Sequence, residues 1–129
     1  MRERGEKLGS LLTPGATLLL FGELGAGKTT FAQGVALALG IKSLVSSPTF
    51  SYLNIYTEGT MPLYHFDLYR LRGISDFLEL GFAEYVGGDG VALIEWPERL
   101  EGWKIPNARA LYFSHTGIGT RDYGEAFEG

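Results

Sequence analysis

Thr17-Leu18-Leu19-Leu20-Phe21-Gly22-Glu23-Leu24-Gly25-Ala26-Gly27-Lys28-Thr29 is the stretch on which the reading of this chain turns. Its first five residues are continuously apolar apart from one threonine, which suits a strand buried on both faces, the mark of a central strand in a parallel α/β sheet. A glycine-rich turn, 22–27, follows. From Lys28 to Leu39 the residues Phe31, Val35, Ala38 and Leu39 recur at helical spacing, with Gly40 as the stop. Strand, glycine turn and helix together are the context that gives Gly22-x-x-x-x-Gly27-Lys28-Thr29 its meaning as a Walker A loop. Gly22, Gly25 and Gly27 let the backbone take positive φ and approach closely, so successive N–H groups point at phosphate oxygens. The positive end of the helix points there too. Lys28 would reach the β- and γ-phosphates of a nucleotide, and the Thr29 hydroxyl would complete the coordination of Mg²⁺. The nucleotide-binding candidates are therefore Glu23, Leu24, Gly25, Ala26, Gly27, Lys28, Thr29 and Thr30. A glycine turn with no ligand is the competing reading, and the flanking strand and helix weigh against it.

Working outward, a short amphipathic helix through Leu8, Leu11 and Leu12 precedes a turn at Pro14-Gly15. On the other side, Ser46-Ser47-Pro48 breaks the pattern, and Thr49 to Tyr56 alternates as a strand. Glu58-Gly59-Thr60 reads as a hairpin turn leading into a returning strand, Leu63 to Tyr69, so the middle of the chain forms an antiparallel ribbon. Ser75 is placed to cap a short helix through Leu80 that Gly81 ends. Val91-Ala92-Leu93-Ile94 is a second buried strand, stopped by Pro97. Ala108–Ser114 and Arg121–Phe127 read as a last hairpin around Gly117-Ile118-Gly119. The fold expected is α/β, a P-loop NTPase-like three-layer sandwich with a mixed, mostly parallel central sheet and an antiparallel ribbon, in one domain over 1–129.

Composition narrows the function classes. The chain has 129 residues, 45% hydrophobic and 20% charged, ordinary values for a folded soluble protein. It has no cysteine and two histidines, which excludes a disulfide framework and a thiolate zinc site. A formal net charge of −4 gives no general attraction to nucleic acid. The charged amino terminus offers no secretory apolar region, and the longest apolar run, Thr17 to Phe21, is too short to cross a bilayer. The expectation is a cytoplasmic protein with no membrane contact, meeting RNA only through a partner.

Magnesium keeps several waters and takes few protein ligands, so another oxygen is wanted at the end of a strand beside the loop. Glu95, just past Val91–Ile94, is the leading candidate, as a base or as a water-mediated metal ligand. A solvated carboxylate at a strand end is its bland alternative. Asp67 lies in an otherwise apolar stretch, where a carboxylate needs a metal or a partner such as Arg70 or Arg72. Thr49 is placed to meet the γ-phosphate as a switch threonine does. Trp96 reads as an aromatic that stacks on a base or a partner, or as core, and His65 reads as core.

Gly22 to Phe31, Ser47-Pro48-Thr49-Phe50, His65-Phe66-Asp67-Leu68-Tyr69-Arg70-Leu71, Glu79-Leu80-Gly81 and Ile94-Glu95-Trp96-Pro97-Glu98 together resemble the TsaE family, also called YjeE. The resemblance runs from Leu8 to Leu100, and the segment after Pro106 carries no motif of the family. It implies an ATPase that takes part in making threonylcarbamoyladenosine in tRNA. It implies nucleotide and magnesium at Lys28 and Thr29, a switch-like segment at Thr49, and functional positions at Asp67, Glu95 and Trp96. It also implies the partners TsaD and TsaB, with tRNA met only through that complex. Weak self-association through an uncovered switch region is a further expectation. The rival enzyme class is a small-molecule P-loop kinase, which usually carries an arginine-bearing lid that this sequence does not display. A GTPase lacks support because neither an Asn-Lys-x-Asp nor an Asp-x-x-Gly motif occurs. A module that binds ATP only to shape an interaction surface is the third reading.

Overall fold

The computed structural model describes residues 2–22, 27–43, 45–46, 48, 51–114, 117–122 and 126–127. In chain order the elements are α1 (Arg2–Gly9), β1 (Thr17–Gly22), α2 (Lys28–Ala38), β2 (Leu53–Tyr56), β3 (Leu63–Asp67), α3 (Ile74–Glu79), β4 (Val91–Glu95), β5 (Ile105–Pro106), β6 (Ala108–Ser114), β7 (Gly117–Asp122) and β8 (Ala126–Phe127). Single 3₁₀ turns lie at Phe82–Tyr85 and Pro97–Leu100.

The long apolar run of β1 earns its central place. Six strands stand in the order β2-β3-β4-β1-β6-β7. The four middle strands are parallel, and β2 and β7 close the two edges in antiparallel fashion. Because side chains alternate across a sheet, Leu18 and Leu20 join Phe31, Val35 and Leu39 of α2 on one face. Leu19 faces the other way, with Phe66, Ile94 and Phe77 of α3. The result is the expected three-layer α/β arrangement, with the β2–β3 ribbon attached through β3 to the parallel core. Among the described residues no helix is long and apolar enough to cross a membrane.

Local departures from the sequence reading have physical causes. The amino-terminal helix ends at Gly9, and Leu11 is 72% exposed. Leu8 and Leu12 pack against the α2-side core, and glycine sets how close the helices come: a Cβ at Gly5 would overlap the Phe31 carbonyl, and one at Gly34 the Arg2 carbonyl, so α1 and α2 cross backbone to backbone. Strand β2 starts only at Leu53 because Tyr52 takes a left-handed conformation, φ 64°. Strand β3 stops at Asp67, whose carboxylate accepts the Tyr69 amide at 3.1 Å in place of a ladder bond. Ser75 is not the cap of α3. Gly73 is, and Asp76, three residues later, reaches back to the Arg72 amide at 3.2 Å. Strand β4 extends through Glu95, which still pairs in register with Leu20 and Asp67. Gly117-Ile118-Gly119 lies in β7, paired with Ser114, Phe113 and Tyr112 of β6, rather than in a turn, while Ala126–Phe127 pairs with β5 instead.

Candidate functional site

Parallel sheets gather their chemistry at the carboxyl ends of the strands, and three such ends meet here. Strand β1 ends at Gly22, with φ 127° and a Cβ position already filled by the Phe113 carbonyl of β6, so only glycine fits. On its other side β4 ends at Glu95, and beyond that β3 ends at Asp67. Asp67 and Glu95 are register partners, and Glu95 pairs with Leu20, two residues before Gly22. Strand alternation places both carboxylate-bearing residues on the α2 face, the side from which the glycine loop enters its helix.

Gly27 opens α2 in the left-handed conformation, φ 95°, and has no side chain to cap the first-turn amides. Those amides and the helix dipole favour an anion. Thr29 and Thr30 are exposed on that first turn. Lys28 is 4% exposed, and its Nζ donates to the Gly22 carbonyl at 2.9 Å, closing the loop at its root. The same ammonium lies 5.4 Å from the centre of the Trp96 ring, within cation–π range. Trp96 is half-buried and held in a left-handed backbone conformation, φ 58° and ψ 50°, between Glu95 and Pro97. Tyr69 packs against its ring at 4.8 Å, and the Arg99 guanidinium lies 5.8 Å from it. Arg99 is fixed there by donating Nε and Nη2 to the Tyr69 carbonyl at 3.3 and 3.0 Å.

Glu95 is 5% exposed, which removes the reading of a solvated strand-end carboxylate. Its Oε2 lies 2.7 Å from Nε2 of His65, a residue with no exposed surface. His65 is therefore tied to the site rather than being simple core. Arg72 is engaged by Asp76, Nε to Oδ2 at 3.1 Å, and so is not the partner of Asp67. That hydrogen bond holds the Asp76 carboxyl below the usual carboxylate range. Of the candidates from the sequence, Gly27, Lys28, Thr29, Thr30, Asp67, Glu95 and Trp96 converge on this end of the sheet. Glu23, Leu24, Gly25, Ala26 and Thr49 lie outside the described residues. His65, Tyr69 and Arg99 are not among the site residues the sequence suggests; His65 and Tyr69 stand in the family-like segment His65 to Leu71, and His65 lies two residues before Asp67 on the same strand face.

The donor set fits a magnesium nucleotide. Among the described residues no three His, Asp or Glu side chains assemble into a metal cage. A cation here would take most of its ligands from phosphate and water, as magnesium does. Thr29, Glu95 and Asp67 are the residues that would hold it.

The model of the family described as threonylcarbamoyl adenosine biosynthesis protein TsaE matches residues 1–122, well past Pro106. The chain is 48% identical over 96 residues to the tRNA threonylcarbamoyladenosine biosynthesis protein TsaE of Treponema pallidum, covering 74% of this chain and 70% of that protein. It is 50% identical over 96 residues to the protein of the same name from Bacillus subtilis, covering 74% of this chain but only 59% of that one. The crystal structure of Bacillus subtilis YdiB superposes with a TM-score of 0.62 at 34% identity, over 86% of this chain and 68% of that chain.

Proposed function

The chain belongs to the TsaE family, and from that premise we propose that it binds ATP with magnesium and hydrolyses it in support of threonylcarbamoyladenosine formation in tRNA. The observation that carries the reading is the Lys28 ammonium held on the Gly22 carbonyl at the root of the loop, with the buried Glu95 and its register partner Asp67 on the next two strand ends. An ammonium this buried gains far more from a polyphosphate than from one carbonyl and one aromatic face.

In this reading the loop amides and the start of α2 hold the phosphates, and Lys28 exchanges the Gly22 carbonyl for the β- and γ-oxygens. Thr29 and one or both acidic residues hold magnesium, which when bound draws charge from the phosphate oxygens. Glu95, held clear of bulk solvent, orients the attacking water and accepts its proton, or holds a magnesium-bound water. Trp96 stacks beside the phosphates or against a partner. Thr49, outside the described residues, is the candidate to meet the γ-phosphate as a switch threonine does. Arg99 is occupied with the Tyr69 carbonyl and is not free to meet transition-state charge, so turnover is slow until a partner complex raises it. TsaD with TsaB is that complex, tRNA is met through it, and the work takes place in the cytoplasm.

Phosphate release with ATP or GTP, with and without TsaB–TsaD, tests this directly. Slow ATP-selective hydrolysis raised by the complex is expected. Equal use of GTP, or full activity alone with no response to the complex, refutes it. Glu95→Ala should leave Mg-ATP affinity within about threefold while lowering turnover by about a hundredfold or more; normal turnover in that variant removes Glu95 from the mechanism.

A further inference from the structure

Strand β3 carries His65 and Asp67 on one face, and the register His65↔Leu93 sets the imidazole one pleat behind Glu95 on the neighbouring strand. Long side chains bridge such a diagonal, and here Nε2 reaches Oε2 at 2.7 Å. A carboxylate only 5% exposed needs donors to stay ionised, and His65 supplies one. With Nε2 donating its proton to Glu95, Nδ1 presents a lone pair, and that nitrogen has no hydrogen-bond partner among the described residues. An orphaned buried acceptor costs stability. Packing therefore gives no reason for an imidazole at this position, since a leucine would fill the layer beside Leu63 and Leu93 without the cost. The reason has to come from what the other nitrogen does.

We propose that His65 is a positioning residue for ATP hydrolysis, holding one carboxylate oxygen of Glu95 so that the side chain meets the phosphate site in a single orientation. The proposal rests on the Mg-ATP reading above. Outer partners of this kind fix the rotamer of the group that touches the reactants, and their removal commonly costs ten- to a hundredfold in activity.

Phosphate release under single and multiple turnover, calorimetric Mg-ATP affinity and apo melting, measured on the full chain, test it. His65→Leu should lower kcat by about ten- to a hundredfold while the Kd for Mg-ATP moves by less than about threefold. His65→Gln, whose amide nitrogen reaches nearly the same place as Nε2, should recover most of the loss. In a Glu95→Gln background His65→Leu should cost nothing further, because the two act as one unit. The apo double variant His65→Leu/Glu95→Leu should melt no lower than wild type, since an apolar pair replaces a half-satisfied one. Unchanged kcat in His65→Leu overturns the proposal, and so does a loss that appears only in Kd. A double variant melting more than about 5 °C lower makes the pair structural and also overturns it. Wild type that fails to bind Mg-ATP defeats the nucleotide reading itself, whereas wild type that binds and turns over beside a fully active His65→Leu defeats this inference alone.

Discussion

Replacing Lys28 with methionine separates what the lysine does for the fold from what it does for a ligand. In the free protein the ammonium makes a 2.9 Å hydrogen bond to the Gly22 carbonyl and faces Trp96 at 5.4 Å. A charged donor is worth about 1.5–3 kcal/mol and the ring about 1–2 kcal/mol. Against these stands the cost of burying an ammonium that is 4% exposed, several kcal/mol even after relaxation. The terms cancel to within about 2 kcal/mol, so apo Lys28→Met should melt within about 9 °C of wild type. The ligand changes the balance. At a hundred times Kd, Mg-ATP stabilises wild type by about 2.7 kcal/mol, or about 8–12 °C for a chain of this size. Losing two charge-assisted contacts to the β- and γ-phosphates costs about 3–6 kcal/mol, which weakens binding at least about a hundredfold. At the same ATP concentration the remaining shift is then about 1 °C. Differential scanning fluorimetry with and without Mg-ATP reads both quantities. A Lys28→Met protein that folds and keeps more than half of the wild-type shift refutes the assignment of this loop to nucleotide.

Three other measurements probe the same structure. Mg-ATP should change the tryptophan emission of wild type by drawing Lys28 off the Trp96 ring; the change should vanish in Trp96→Phe and persist in Trp103→Phe, whose ring packs against Phe77 at 5.3 Å, away from the loop. Burial, helped by the Asp89 carboxylate to which it donates at 2.7 Å, pushes the Tyr64 hydroxyl up to about 12. Because the folded form holds that proton above the ordinary value near 10, its stabilising effect is complete below pH 10 and is lost as pH rises toward 12; Tyr64→Phe should flatten the decline in melting temperature over that window, and an equally steep decline counts against the assignment. Gly5→Ala should destabilise by about 1–3 kcal/mol in urea denaturation, because the new methyl would overlap the Phe31 carbonyl; an unchanged midpoint would mean that α1 is not seated on α2.

The core of the fold was legible because β1 and α2 announce themselves twice, by apolar pattern and by the glycine turn between them. Elements whose packing is set by shape were harder. Leu8 and Leu12 do pack against the α2-side core as their spacing suggests, and Leu11 does not; the close crossing of α1 on α2 depends in addition on Gly5, Gly9 and Gly34, which carry no hydrophobic signal. Glycines at 117 and 119 read as a turn, while cross-strand pairing with Tyr112 and Ser114 keeps them in β7. Nor did the sequence show that β6 lies beside β1 in the main sheet, since a parallel neighbour is chosen by tertiary packing rather than by any local turn. At the site, Lys28 and Glu95 were readable from a motif and from a strand end. The bond between His65 and Glu95 spans 30 residues, and it became visible only once the register of β3 against β4 was known.

Buried polar residues give an independent way to find the site. The described core contains four: Thr17, Lys28, His65 and Glu95. Apolar side chains of similar volume are generally as good or better for stability than buried charge, so each of these positions needs a reason other than packing. Three of the four lie toward the carboxyl ends of adjacent strands or at the start of the helix that follows one of them. The left-handed backbone at Trp96 is next in sequence to Glu95, and the left-handed Tyr52 accepts the Asp67 amide at 2.9 Å. Strained backbone conformations of this kind persist where surrounding structure over-determines them, and they cluster at working sites. Buried charge, strain and the glycine loop thus coincide at the carboxyl end of the parallel strands, which a motif match at the loop alone would not require.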